Sequence, residues 1–278
     1  MTIQEAIAQT TQQLDQAGIG TPRLDTLVLL EDITGLSKAR LLTHPEQLLD
    51  QNQIDKLKKQ VQQRSQQLPL SYVRGKTEFF GYNFLVDQRV LEPRPESETM
   101  IEELNKLVVH NKINHVIEIG TGSGALIIAA KLSNPSIQVY ATDISTDCLR
   151  VARLNLQAYK LNIPLLQGDL LHALPARAWQ QHTAIIANLP YVPDNWQINP
   201  PAQHEPPTAI FGGDDGLDIY RRLFTQLQDI ATAPEFILTE SMPPQHIRLS
   251  NIAKQHSYSL SATNDFIQVF SRSALHPA

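Results

Sequence analysis

The sequence predicts an α/β protein, a Rossmann-like doubly wound sheet preceded by a small N-terminal helical bundle. After His115 short apolar runs alternate with helical segments, as consecutive strand–helix–strand units of a parallel sheet require. Within that region Glu118-Ile119-Gly120-Thr121-Gly122-Ser123-Gly124 lies where such a sheet turns from its first strand into its first helix. Helix-period spacing of apolar residues from Ile3 to about Gln67 predicts the bundle.

In the bundle Ile3, Ala6, Ile7 and Leu14, then Leu24, Leu27 and Leu30, then Ile54, Leu57 and Val61 recur at helical intervals, with Gly18, Gly20 and Gly35 as punctuation. The glutamine-rich residues 60–64 keep Val61 among them and read as a solvated helix face. Phe79, Phe80, Tyr82, Phe84 and Val86 around Gly81 predict a short hairpin. Residues 91–98, Leu-Glu-Pro-Arg-Pro-Glu-Ser-Glu, lead into a helix to about Val109, prolines first. Strands are expected at 116–119, 137–142, 164–167, 184–187 and 236–239, and helices at 124–132, 145–159 and 217–230. The expected organisation is a helical domain over 1–72, a β-hairpin linker over 73–92 and an α/β domain over 93–278.

A chain of 278 residues buries one sizeable core with room for a second, smaller domain. Its 42% hydrophobic and 18% charged residues suit a soluble globular protein, and no apolar run approaches the roughly 18 residues of a membrane span. The opening Met1-Thr2-Ile3-Gln4-Glu5 lacks the basic and apolar blocks of a signal peptide, so a cytoplasmic, membrane-free location is expected. Cys148 is the only cysteine, which excludes an intrachain disulfide, and it is expected as a packed thiol. The net charge of -5 opposes stable, electrostatically driven nucleic-acid binding. The nine histidines lack ligand spacing, so no metal is expected.

Two loops carry the chemistry. Glycines 120, 122 and 124 let backbone NH groups and a helix N-terminus approach a nucleotide-type cofactor. Asp143, at the end of the next strand, is placed to accept from both ribose hydroxyls, and Asp169, closing the third, from an exocyclic adenine amine. Glu118, inside the first strand, is costly unless it meets donors such as the loop amides or a cationic ligand. The second loop, Asn188-Leu189-Pro190-Tyr191, follows an apolar strand. An Asn oxygen and a neighbouring carbonyl can each accept one hydrogen of an NH2 group, aiming its nitrogen at an electrophile. Tyr191 can stack on a flat substrate, and Pro190 restrains Leu189 to extended geometry.

With both loops in order, the chain resembles the HemK/PrmC family of peptide chain release factor N5-glutamine methyltransferases over nearly its whole length. The resemblance rests on Phe79-Phe80-Gly81, residues 93–98, the glycine loop, residues 188–191, and Glu205-Pro206 leading to Gly212-Gly213-Asp214-Asp215-Gly216-Leu217 and Tyr220. It implies a methyltransferase that takes its methyl from S-adenosylmethionine and gives it to the Gly-Gly-Gln glutamine of bacterial class I release factors, with the helical domain helping to recognise them, and a monomer is expected. By resemblance, Gly120, Thr121, Gly122, Ser123 and Gly124 hold the methionine part of the cofactor, Asp143 its ribose, and Asp169 and Leu170 its adenine. Asn188, which also faces the cofactor, and the Leu189 carbonyl orient the glutamine amide, Tyr191 packs on it, and Phe79 or Phe80 and the segment of Arg94 border the pocket.

The family usually has Asn-Pro-Pro-Tyr where this chain has Leu189, a form like that of ribosomal RNA adenine dimethyltransferases. Glu240-Ser241-Met242 stands where Glu-x-Gly is usual, and Asn264-Asp265-Phe266 lacks the usual Asp-x-x-Gly. These last departures are expected to touch the final strands more than the pocket. Three other functions compete: a nucleic-acid adenine N6-methyltransferase, a nicotinamide-dependent oxidoreductase and a catalytically silent release-factor-binding relative.

Overall fold

The first helices are set by their local caps. In the computed structural model, which describes residues 1–273, α1 (Ile3–Gln16) opens with a capping box. Thr2 Oγ1 accepts from the Glu5 NH at 3.2 Å and Glu5 Oε2 accepts from the Thr2 NH at 2.9 Å. Next, α2 (Pro22–Thr34) has proline in its first turn and stops at Gly35, whose φ of 72° only glycine takes without cost. After α3 (Lys38–Thr43), Asp50 and Gln53 form a second capping box for α4 (Gln51–Ser65), and α5 (Leu70–Arg74) closes the bundle. Ile3, Leu14, Leu29, Leu30, Leu41 and Leu57 form its core. These helices lie in one compact unit, Met1–Lys76 with Ile198–His204, and the rest of the chain forms a second.

Leu24 lies on α2 as expected but is 51% exposed, and the glutamine-rich stretch of α4 is solvated only in part, with Gln62 exposed. Gln60 and Arg64 are buried, because Gln60 Nε2 donates to the Val73 carbonyl and Arg64 Nε donates to Asp25 Oδ2 at 2.7 Å. A buried pair with this geometry satisfies charges that composition alone assigns to water.

The second unit begins with a hairpin, β1 (Lys76–Phe79) and β2 (Tyr82–Leu85). Its turn places Phe80 at φ 51° and Gly81 at φ 75°, the positive pair that a two-residue hairpin favours. Phe80 is held there by Glu98, whose Oε1 accepts its NH at 2.8 Å. A short 3-10 turn, Pro95–Ser97, leads into α6 (Glu98–Asn111).

The main sheet contains β3 (His115–Ile119), β4 (Gln138–Asp143), β5 (Leu165–Gln167), β6 (Thr183–Ala187), β7 (Phe236–Glu240), β8 (Tyr258–Asn264) and β9 (Ile267–Arg272), in the order β5-β4-β3-β6-β7-β9-β8. Strands β3 to β7 are parallel, and β9 is antiparallel to both β7 and β8. Helices α7 (Ala125–Ser133), α8 (Thr146–Ala158), α9 (Asp218–Gln226) and α10 (His246–Gln255) flank it. The bounds of β3 to β7 agree with the sequence reading to within a residue or two, whereas β8 and β9 were not expected from it. The helix expected over 217–230 ends earlier, at Gln226, and gives way to a 3-10 turn, Leu227–Asp229. The final residues of the expected α/β domain lie outside the described residues.

Alternation along the strands divides the core into two layers. Val116, Val139, Ala184, Ile186 and Leu238 pack with Met100 of α6 and Ile127 of α7, whereas Ile117, Ile119, Ile185 and Ile237 pack with Tyr220 and Phe224 of α9. Among the described residues no helix is long and apolar enough to cross a membrane.

Candidate active site

The chain runs outward from β3 through β4 to β5, then returns to the other side of β3 as β6. Such a reversal opens a crevice at the carboxyl ends of the strands, and both chemistry-bearing loops leave the sheet there. The glycine loop follows β3 and the Asn188 loop follows β6, and they line one cavity.

The glycine loop is fastened mostly by its near neighbours. Gly120 and Thr121 donate to the Thr142 carbonyl, and Gly124 to that of Thr121. From α8, Asn155 Nδ2 donates to the Ser123 carbonyl at 2.8 Å. All three loop glycines have positive φ. A Cβ at Gly120 would stand 2.9 Å from Leu189 Cδ2, while one at Gly122 would project into open space. The two glycines therefore serve different ends, close packing of one loop on the other and an unobstructed backbone facing the cavity.

Asp143 Oδ2 accepts from the Gly122 NH and Oδ1 from the Ser145 NH, each at 2.8 Å. Burial raises its pKa, and those NH groups oppose the rise. Glu118 is 1% exposed, and burial pushes its carboxyl up to about 8 even though the Thr121 hydroxyl donates to it. Burial thus favours the protonated form of this acid at the cavity wall, whereas a cationic ligand would favour its ionisation. Ile144 lines the same cavity at 66% exposure, an apolar surface that sequence reading passed over although it follows Asp143 directly. Leu170 lines the wall too, at φ 52°. Asp169 lies on the cavity with both carboxylate oxygens 2.5 Å from Arg222 Nη2. Cys148, pushed up to about 11 chiefly by burial, donates its Sγ hydrogen to the Arg89 carbonyl, as a packed thiol does.

The Asn188 loop is fastened by residues far away in sequence. Asn188 Nδ2 donates to Ser97 Oγ at 2.9 Å, and Ser97 Oγ donates to Glu240 Oε2 at 2.6 Å. Tyr191 OH donates to the other Glu240 oxygen, Oε1, at 3.0 Å. Leu189, where the family usually has proline, keeps a backbone NH, and that NH donates to Tyr220 OH at 3.3 Å. The rigidity lost with the ring is partly replaced by a hydrogen bond that proline cannot make. Behind the loop, a Cβ on Gly212 would lie 2.4 Å from the Pro190 carbonyl oxygen, and one on Gly216 2.0 Å from that of Tyr191. The Gly-Gly-Asp-Asp-Gly block is thus the buttress of the loop, and Gly212 and Gly216 are required by close backbone approach.

Glu240, the residue that this segment shares with the usual Glu-x-Gly, reaches the Asn188 loop directly, since β7 lies beside β6 and its last residue faces that loop, whereas the departing Met242 is not on the cavity wall. Burial raises the pKa of Glu240, and the Ser97 and Tyr191 hydroxyls oppose that. Ser97 and Glu240 were legible only as parts of motifs, with no signal of their joint role.

The cavity is lined by Phe79, Glu118, Gly120, Thr121, Gly122, Ser123, Asp143, Asp169, Leu170, Asn188, Leu189 and Pro190 of the expected residues. Gly124 is not on its wall; it packs against Ala152 and Ile128 and starts α7. Neither Tyr191, which turns its hydroxyl to Glu240, nor Arg94 is on the wall. Arg94 pairs with the buried Glu205 and, at 3.4 Å, with Glu92.

Comparison with known proteins gives the same picture. Residues 5–75 match the PrmC N-terminal domain family and residues 95–202 the methyltransferase small domain family. A release factor glutamine methyltransferase of Coxiella burnetii is 31% identical over 259 residues, covering 93% of this chain and 92% of its own. That of Moorella thermoacetica is 35% identical over 227 residues, 80% of this chain and 79% of its own. Among solved structures, the human Mettl16 catalytic domain shares the fold at 13% identity and a TM-score of 0.54, covering 81% of this chain and 82% of that one. The extent and identity of these matches, over both units, show that the chain belongs to the release factor glutamine methyltransferase family.

Proposed function

We propose that this protein methylates the side-chain amide nitrogen, N5, of the glutamine in the Gly-Gly-Gln motif of bacterial class I release factors, using S-adenosylmethionine, and that it acts in the cytoplasm as a monomer. The observation that carries the reading is that a glycine loop suited to a nucleotide-type cofactor and an Asn-Leu-Pro-Tyr loop suited to an NH2 group line one cavity. The relatives named above carry that activity in their names.

The residues present fit the cofactor. Gly122 leaves open space where a Cβ would project, Ile144 and Leu170 offer apolar surface to a flat ring, and Asp143 and Glu118 are acids on the wall. Asp143 would take the ribose hydroxyls, Asp169 and Leu170 the adenine, and the glycine loop with Glu118 the cationic amino-acid end. When bound, S-adenosylmethionine supplies a methyl group on a sulfonium, an electrophile that needs only an aligned nucleophile.

An amide nitrogen is a poor nucleophile because its lone pair is delocalised, so these residues act by alignment. Asn188 Oδ1 and the Leu189 carbonyl each accept one hydrogen of the glutamine NH2. That contact fixes the nitrogen within the cavity and withdraws it from water. Phe79 and Pro190 supply apolar walls that exclude solvent. Tyr191, anchored on Glu240, secures the far end of the loop. The helical unit helps to recognise the release factor.

The test is transfer of labelled methyl from S-adenosylmethionine to a purified release factor, beside the same factor with its Gly-Gly-Gln glutamine changed to alanine. Label on the unmodified factor alone is expected. Absence of label on both, with cofactor binding intact, would overturn the reading.

A further inference from the structure

Three groups from separate parts of the chain meet behind Asn188. Ser97 stands just before α6, Glu240 ends β7, and Tyr191 closes the loop itself. Ser97 and Glu240 are 2% and 1% exposed, so water does not substitute for their hydrogen bonds. Each contact in the series has a direction. In its ionised form Glu240 only accepts, so both hydroxyls facing it then donate to it. Ser97 has one hydroxyl proton, and with that proton committed to Glu240 Oε2 its oxygen can only accept from Asn188. Asn188 must then present its NH2 to Ser97, at 2.9 Å, and toward Glu240 itself, and turn Oδ1 the other way.

We infer that Ser97 and Glu240 form a polarity relay that sets which end of the Asn188 amide faces the substrate. The two ends of a carboxamide have nearly the same shape, so packing alone discriminates poorly between them. For the chemistry they are opposites: Oδ1 accepts a hydrogen of the substrate NH2, whereas Nδ2 would meet it donor to donor. Ser97 and Glu240 are accordingly positioning residues that act through Asn188. The inference rests on the methyl-transfer reading for its consequence in turnover, but not for the orientation itself.

Two kinds of variant separate this role from plain packing. Ser97→Ala removes the acceptor with little change of volume, and Ser97→Thr restores it. Glu240→Gln is nearly isosteric. The Tyr191 hydroxyl keeps its Glu240-side acceptor only if the new carboxamide oxygen faces it, and this puts the new NH2 against Ser97 and drives the Ser97 proton toward Asn188. Ser97→Ala and Glu240→Gln should each lower kcat about tenfold with the S-adenosylmethionine Kd within about twofold, and Ser97→Thr should recover most of the loss, a misalignment effect.

A second readout needs no activity. In 15N-labelled protein the Asn188 side-chain NH2 signal, identified by its loss in Asn188→Ala, should exchange slowly with solvent. It should exchange quickly in Ser97→Ala and Glu240→Gln and slowly again in Ser97→Thr. Unchanged exchange in Ser97→Ala, or kcat of Glu240→Gln within twofold of the parent, would overturn the relay. A parent protein that leaves the release factor unlabelled while showing the protected Asn188 NH2 would instead sink the methyl-transfer reading and leave the relay standing.

Discussion

The glycine loop and the Asn188 loop face each other across one cavity, yet they are built in opposite ways. The first takes most of its hydrogen bonds from Thr142, Asp143 and its own residues, all within a strand–loop–helix–strand unit of the chain. The second depends on Ser97, 91 residues earlier, and on Tyr220, 31 residues later than Leu189. Glu240 and the Gly212–Gly216 block complete it. A cofactor common to many reactions can be served by a short local motif. A substrate-orienting loop must hold one amide in one direction, and that demands partners that converge from distant segments.

If the halves are separable, variants should divide into those that lose turnover and those that lose cofactor. Asn188→Ala should have the largest effect, lowering turnover at least about 10²-fold while calorimetry shows S-adenosylmethionine binding within about threefold. Equal loss of both would break the comparison. Gly216→Ala comes next. Its Cβ would press the Tyr191 carbonyl from a backbone at φ 78°, at a cost of roughly 2–3 kcal/mol in strain and overpacking. Denaturant titration should show that loss, together with reduced turnover and little change in cofactor affinity.

Leu189→Pro is milder. It brings in the ring that the family usually has but deletes the hydrogen bond to Tyr220, worth about 0.5–1.5 kcal/mol. Turnover should fall less than about tenfold by the same arithmetic. An increase would mean that Leu189 is a handicap in this chain.

A further effect lies on the cofactor side and appears without any ligand. Burial holds Glu118 at about 8 against an ordinary 4.5, so between these values the folded protein binds more protons than the unfolded chain. Its contribution is present in full below about 4.5 and is lost as pH rises through about 8. Asp143, Glu205 and Glu240 are shifted in the same direction. Unfolding free energy of the ligand-free protein should therefore decline from pH 5.5 to 8, with a shallower slope in Glu118→Gln. A slope unchanged by that substitution would show that Glu118 is not the group responsible.

Legibility followed the same division. The strands, the glycine loop and Asp143 could be read because apolar periodicity and glycine spacing act over a few residues. Gln60 and Arg64, in the glutamine-rich part of α4, were misread as solvated because helix periodicity identifies a face without saying what covers it. There, Arg64 finds Asp25 and Gln60 finds the Val73 carbonyl. Arg94 looked like a substrate residue from its motif, but the buried carboxylate that pairs with it, Glu205, stands 111 residues away. The contact of Glu240 with the Asn188 loop could not be read because strand order, which sets β7 beside β6, is not written in either strand.

By itself the sequence determined the two-part organisation, the doubly wound class, the family and the two loops that carry the chemistry, since each is encoded by periodicity or by residues adjacent in the chain. The tertiary structure alone decided how Asn188 is aimed. The partners of its loop are a serine before α6 that bonds Asn188, a carboxylate at the end of β7 that bonds this serine, and a tyrosine on α9 that bonds Leu189, and only their burial at one point, where water cannot satisfy them, makes these hydrogen bonds obligatory.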